Sequence, residues 1–282
     1  MIQRPILQTR QSQYKVEDSI RLFKRITLSI FIILFAPTTR FILDQSLSST
    51  AELGLHGYFF LWISFSSVMR LSYIGIIVLC VSLVDSEFRA RRFINFAFFF
   101  ELLGAFLIVV SINVALMVIL YGGSGVDFGI NPLRYGVENA IIFVSYIFIS
   151  AFTEEFSFRE ILPNLVFRGE RNCIYSKILT SAAFALSHPY NNIGQYINIF
   201  LFGFFAMTVR DKYRSISISV GIHAGSNICT YSGLFSNIGD DYFNLLENNS
   251  SYMISLPIGL ICMFVVSALP RQFINNYWKI SN

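Results

Sequence analysis

The chain has 282 residues, 54% of them hydrophobic and only 13% charged, with 30 Phe and 14 Tyr. Soluble domains carry about 25% charged residues, and a soluble core of this length has no use for so much apolar surface, so one membrane domain takes up nearly the whole chain. The net charge of +4 accompanies no nucleic-acid motif; the expected surroundings are a lipid bilayer, and nucleic acid is excluded as a partner.

Residues 1–25 are polar and basic, with Arg4, Arg10, Lys15, Arg21, Lys24 and Arg25. The lead is long and no small-residue cleavage site follows the apolar run after it, so an uncleaved first helix is expected rather than a signal peptide. Eight candidate crossings follow in order: Ile26–Leu43, Tyr58–Val84, Phe93–Tyr121, Val137–Val166, Tyr175–His188, Ile193–Val209, Ser215–Tyr231 and Tyr252–Leu269. Pro37 and Arg40 interrupt the first, and the fifth is short for a bilayer that asks roughly 20 residues of a helix. His56 falls in a connection, as a solvated histidine. Gly122–Gly125 reads as a flexible turn without the pattern of a phosphate loop. Ser232–Ser251 is a polar connection holding Asp240, Asp241 and Glu247, with short N-x-S matches at Asn248 and Asn249. Cys80, Cys173, Cys229 and Cys262 are scattered, without CxxC spacing, and read as small apolar residues.

Charge places the ends. With the connections numbered alternately from the inside, eighteen Lys/Arg fall on one side and one, Arg134, on the other. This positive-inside asymmetry predicts an all-α, polytopic bundle of about eight helices with both termini cytoplasmic. The expected location is a multi-pass position in a bacterial inner membrane. The basic side's count includes Arg159 and Arg210, while Arg40 and Arg70 fall within helices.

Ionisable groups at bilayer depth are costly and mark function or tight pairing. Three clusters qualify. In Phe152-Thr153-Glu154-Glu155-Phe156-Ser157-Phe158-Arg159, Glu155 and Arg159 are i,i+4 neighbours able to pair. Glu154 points about 100° away and stays available for chemistry. Read alone, this cluster fits an interfacial acid pair equally well. In Phe184-Ala185-Leu186-Ser187-His188, a histidine closes an apolar helix before Pro189, an ordinary helix end by itself. In His223-Ala224-Gly225-Ser226-Asn227, His and Asn share a face at mid-helix, with small residues between them that permit close helix approach; a structural hydrogen-bond pair is the alternative. At the rise of an α-helix, Glu154, His188 and His223 lie ~21, ~16 and ~13 Å from the basic ends of their helices, similar enough depths for the three helices to bring them together. The fourth helix must then continue past Arg159 to about Val166, kinked at Pro163.

A carboxylate beside histidines can activate water, and a second histidine with an asparagine can hold an oxyanion. Peptide hydrolysis needs both. No cysteine or serine motif offers a covalent nucleophile, so water is the expected attacker.

In order, Glu154-Glu155-x-x-x-Arg159, Phe184-x-x-x-His188 and His223-x-x-x-Asn227 resemble the three motifs of the type II CAAX-protease (CPBP) intramembrane protease family, which includes the Ras-converting CAAX endopeptidases and many bacterial members. The resemblance covers roughly residues 137–231. It implies that Glu154 and His188 activate water, that His223 and Asn227 stabilise the oxyanion, and that Glu155 and Arg159 support them. The organisation is then a basic cytoplasmic segment (1–25), N-terminal helices (26–136), a catalytic core (137–231), and an outer loop with the last helix and tail (232–282). The substrate implied is a membrane-embedded or membrane-proximal protein or peptide. Glu154, His188 and His223 also form a ligand set that Zn²⁺ accepts with a position left for water. The His-Glu-x-x-His spacing is absent and Asn227 suits an oxyanion better than zinc, so a metal-free glutamate mechanism is preferred. Two other classes compete: a non-catalytic bacteriocin-immunity or partner protein on the same fold, and an ion- or proton-coupled transporter using Arg40, Arg70 and Glu101, against which stands the lack of paired repeats with matching broken helices.

Overall fold

The computed structural model describes residues 20, 22–34, 56–84, 96–121, 137–167, 174–188, 193–231 and 250–269. All the secondary structure among them is helical. We number the helices α1 (22–34), α2 (His56–Val84), α3 (Phe96–Tyr121), α4 (Val137–Glu155), α5 (Ile174–Leu186), α6 (Ile193–Tyr213), α7 (Ser217–Tyr231) and α8 (Ser250–Ala268). The basic N-terminal segment, Pro37, Arg40, Gly122–Gly125, Cys173 and the acidic connection from 232 to 249 lie outside the described residues.

Four stretches are long and apolar enough to cross a membrane: Ile63–Ser82, Phe98–Ala115, Ile141–Phe167 and Ile193–Tyr213. Two shorter apolar helices, Ile174–Leu186 and Pro257–Ala268, accompany them. Large apolar side chains such as Phe65, Val68, Leu71 and Leu79 on α2, and Leu103, Leu107 and Ile108 on α3, are exposed. This is a surface suited to hydrocarbon, and the chain is an integral membrane protein. Hydroxyl side chains are accommodated within the helices: Ser29, Ser67, Thr153, Thr180, Ser181 and Ser226 donate to carbonyls three or four residues back, which spares them a partner elsewhere.

α7 is the central helix, buried from Ile216 to Ser226 between α3, α4 and α8. Glycine makes this possible. At Gly221 a Cβ would run into Leu102 and Ala105 of α3, and at Gly225 into Phe106 and Val109. The contacts advance in step, so α3 and α7 run parallel. α6 and α8 are also parallel, with Phe202 near Gly259 and Tyr213 donating to the carbonyls of Val266 and Leu269. α5 and α6 are antiparallel: Gly203 lies against Ser181 and Phe184, while Lys177 reaches Thr208 and Asp211. Parallel alternate helices and antiparallel neighbours are the pattern of successive crossings. α6 closes with Arg214 in the left-handed region (φ 56°) and its N–H on the Arg210 carbonyl, so that three residues suffice to start α7.

Several boundaries differ from the sequence reading. His56 opens α2 rather than lying in a connection, and α6 runs to Tyr213, beyond Val209. As the sequence reading requires, α4 continues past Arg159, to Phe167, through a π-helical turn at Phe156–Ile161 and a last α-helical turn at Leu162–Phe167. The Leu162 N–H bonds to Ser157 O, five residues back. Pro163 has no N–H to donate and its ring would crowd the carbonyl of Arg159, so the register shifts just ahead of it.

Candidate active site

The π-turn is the most enclosed stretch of α4: every residue from Phe156 to Ile161 is buried, in keeping with the frequent use of such turns at functional sites. Arg159, on this turn, is 0% exposed. Its Nε lies 3.3 Å from Glu155 Oε2, its Nη2 donates to Oε1 at 3.4 Å, and its guanidinium stacks on Phe184 of α5 with 4.3 Å to the ring centroid. The i,i+4 pair expected from the sequence is therefore present. Arg159 is, however, enclosed by protein rather than a free charge. So is Arg210, which gives Glu160 a two-pronged bond, Nε to Oε1 at 2.6 Å and Nη2 to Oε2 at 2.8 Å. Both arginines belong to buried pairs; the Lys/Arg asymmetry survives without them.

Glu154 and Glu155 end the α-helical part of α4 and diverge. Glu155 Oε1 accepts the His223 Nδ1–H at 3.0 Å. Glu154 Oε1 accepts from Arg70 Nη1 of α2 at 3.3 Å and from Ser150 Oγ at 3.2 Å. Glu154 is thus not left unpaired as the sequence suggested; only Oε2 is without a hydrogen bond among the described residues. That oxygen lies 3.5 Å from His188 Nε2 and 3.7 Å from His223 Nε2.

The two imidazoles are prepared alike. His188 sits just past the last helical residue of α5, and its Nδ1–H donates to Phe184 O at 2.8 Å, one of the carbonyls that a helix end leaves open. His223 uses its Nδ1–H on Glu155. Both rings therefore turn Nε2 towards Glu154 Oε2. Phe184 and Phe202 pack edge-on against His223 with centroids at 6.1 and 5.3 Å, and Phe184 packs against His188 at 4.7 Å, which fixes the rings in an apolar wall. Asn227 lies one turn beyond His223 on the same helix, half-buried; no described residue bonds its amide.

Five of the six residues singled out from the sequence are thus in mutual contact, with Asn227 one turn away. Arg70 and Ser150 join them; neither belonged to a motif. Arg70 signalled itself only as a charge inside an apolar run, and Ser150 only by its place one turn before Glu154. Glu101, the other acid in the N-terminal helices, accepts from Ser215 and from Ser217 at the start of α7. Of the cysteines, Cys229 and Cys262 are buried thiols and Cys80 is half-buried, all free.

No group of three His, Cys, Asp or Glu among the described residues is arranged to hold a metal ion. The shared carboxylate already carries the Arg70 cation on one oxygen.

Fold and site together define an integral membrane protein with a carboxylate–imidazole centre enclosed by its helices. Residues 136–229 match the family of type II CAAX prenyl endopeptidase Rce1-like proteins, which supports the likeness to the CAAX protease-like (CPBP) family. No curated protein and no solved structure matches the chain. The matched segment contains all six motif residues and supports an intramembrane endopeptidase; Arg70 lies outside it.

Proposed function

We propose that the chain hydrolyses a peptide bond of a membrane-embedded or membrane-proximal substrate with water activated by Glu154. One observation carries this reading: a single carboxylate oxygen, Glu154 Oε2, faces the Nε2 atoms of two histidines whose other nitrogens are tied to fixed acceptors. Water seated there gives one proton to Glu154 while His188 Nε2 accepts its other hydrogen bond, and the hydroxide adds to the scissile carbonyl carbon. The carbonyl oxygen takes the negative charge and receives the Asn227 amide N–H and the His223 Nε2–H. The Glu155 carboxylate on Nδ1 holds the His223 ring in the orientation that turns Nε2 towards that oxygen. The proton held by Glu154 then passes to the departing amine. Atoms balance as one peptide bond and one water giving one acid and one amine, without a metal.

The family's prenylated substrates do not transfer automatically. A peptide precursor or a protein with a C-terminal membrane helix satisfies the same chemistry, in the cytoplasmic membrane of a bacterium with both termini inside. The test compares membrane and secreted peptide termini, by mass spectrometry, between cells carrying the wild type and Glu154→Gln. Specific termini should vanish in the variant, and those termini name the substrates. Unchanged termini with a folded variant would refute catalysis through Glu154 and favour the immunity or partner reading.

A further inference from the structure

We propose that Arg70 of α2 is a positioning residue for this reaction: it clamps Glu154 Oε1 so that Oε2 is the oxygen presented to His188 and His223. The proposal rests on the endopeptidase reading and extends the site beyond the segment that matches the family.

Arg70 lies on the inward stripe of α2, in line with Ser66 and Tyr73, which are 1% and 4% exposed, while the rest of that helix turn faces outward. Val68, Met69 and Leu71 beside it are 60%, 41% and 53% exposed. An arginine directed outward there would carry its charge into hydrocarbon. Its side chain instead is 15% exposed and turned inward. It lies along a stripe of α4 formed by Tyr146, Ser150 and Glu154, residues four apart that share one helix face. The guanidinium sits over the Tyr146 ring at 5.7 Å to the centroid, within reach of a cation–π contact, and Nη1 donates to Glu154 Oε1 at 3.3 Å.

The two oxygens of a free carboxylate are equivalent, and rotation about its last side-chain bond exchanges them. Here they are not equivalent. Oε1 takes two donors, Arg70 and Ser150, while Oε2 takes none among the described residues and faces both histidines. Charge gives a second reason. Two adjacent carboxylates stand beside Arg159, which is committed to Glu155. Arg70 supplies the second cation, so that each glutamate has its own. A catalytic carboxylate held at one oxygen loses no time to misdirected conformers, and displacement of a reacting group by about 1 Å can cost about 10²-fold in rate.

The experiment uses the purified full-length chain in detergent and a synthetic peptide spanning a Glu154-dependent cleavage site found by the terminal-peptide comparison. Arg70→Gln should lower kcat about 10²-fold with KM within about twofold. Arg70→Lys, which returns the cation without the fork, should recover at least about tenfold of that loss. The two variants should melt within a few degrees of each other. A wild-type kcat in Arg70→Gln overturns the proposal. So does an equally low kcat in Arg70→Lys and Arg70→Gln, which would make Arg70 a packing element rather than a clamp, and so does a change confined to KM. Should Arg70→Gln fail to fold, Ser150→Ala removes the other Oε1 donor from a helix position that alanine suits. It should lower kcat several-fold at constant KM, and an unchanged kcat overturns the clamp. Failure of the endopeptidase reading is distinguishable, because it shows as termini that persist in Glu154→Gln cells before Arg70 is altered.

Discussion

Alanine at Gly221 would test what holds His223 in place. Its Cβ would enter the Leu102 carbonyl oxygen, come to 2.9 Å from Ala105 Cβ and to 3.1 Å from the Leu102 carbonyl carbon. Carbon atoms pack comfortably at about 3.5–4.0 Å, so α7 would have to withdraw from α3 by roughly 1 Å. The obstructing atoms are backbone and a β-carbon, and no flexible side-chain end can yield. Overpacking of this kind costs about 1–3 kcal/mol, offset by about 1 kcal/mol of helix propensity gained over glycine. A net loss of up to about 2 kcal/mol is expected. The rate should suffer more. His223 is two residues along the same helix and holds Glu155 at 3.0 Å, and a shift of about 1 Å in such a group costs about 10²-fold. Gly75 on α2 is the control, since a Cβ there meets nothing within 4 Å. Gly75→Ala should stabilise by about 0.5–1 kcal/mol and leave the rate alone. Thermal unfolding of the two purified variants, alongside the appearance of Glu154-dependent termini in membranes, reads both effects. If Gly221→Ala melts and cleaves like the wild type, the close approach of α3 and α7 is not what seats His223.

Three further outcomes are expected. Glu160→Gln leaves the buried Arg210 without its two-pronged partner and should cost about 3–5 kcal/mol, at the low end because Asp211 still accepts from Nη1 at 3.1 Å; an unshifted unfolding transition counts against this pair as a structural tie. Asn227→Ala should lower the cleavage rate about 10²–10³-fold, as loss of an oxyanion donor does, while stability stays within about 0.5 kcal/mol; an intact rate removes Asn227 from the mechanism. Reporters fused before Met1 and after Asn282 should both report the cytoplasmic side, and opposite sides would require an odd number of crossings.

Much of the site was legible because its motifs are local. Glu155 with Arg159, Phe184 with His188 and His223 with Asn227 are each four residues apart, and helix geometry alone puts such pairs on one face. Similar depths then allowed the three helices to converge. What was not legible depends on partners distant in sequence. An arginine in an apolar run announces that it needs an acid but not which one, and Arg70 finds Glu154 84 residues away. Arg210 stands beside Asp211 and Lys212 and reads as a helix end; the Glu160 carboxylate that pairs with it, 50 residues away, becomes visible only when α4 and α6 are packed. The sequence suggests a kink at Pro163; the structure has a π-turn just ahead of it. Its consequence, a register shift that keeps α4 continuous to Phe167, follows from where the freed carbonyls find donors, which composition does not encode.

The neighbouring glutamates should separate experimentally, because the fold gives them different liabilities. Glu155 is 0% exposed and its cation, Arg159, is equally enclosed. In Glu155→Gln the amide oxygen can still accept from His223, so the ring keeps its orientation, but Arg159 is left buried without a counter-charge. Breaking a buried pair this way costs about 3–5 kcal/mol. Glu154 pairs with Arg70, whose side chain keeps 15% exposure where that of Arg159 has none. Glu154→Gln, which keeps an amide oxygen for Arg70 and Ser150, should therefore cost less in stability than Glu155→Gln while abolishing cleavage. One substitution acts mainly on folding, the other almost wholly on rate. Unfolding curves and terminal-peptide profiles of the two variants, taken from the same membranes, decide the matter. Should Glu154→Gln prove the less stable and Glu155→Gln the less active, the roles assigned to the two carboxylates are reversed, and the water belongs between Glu155 and His223 instead.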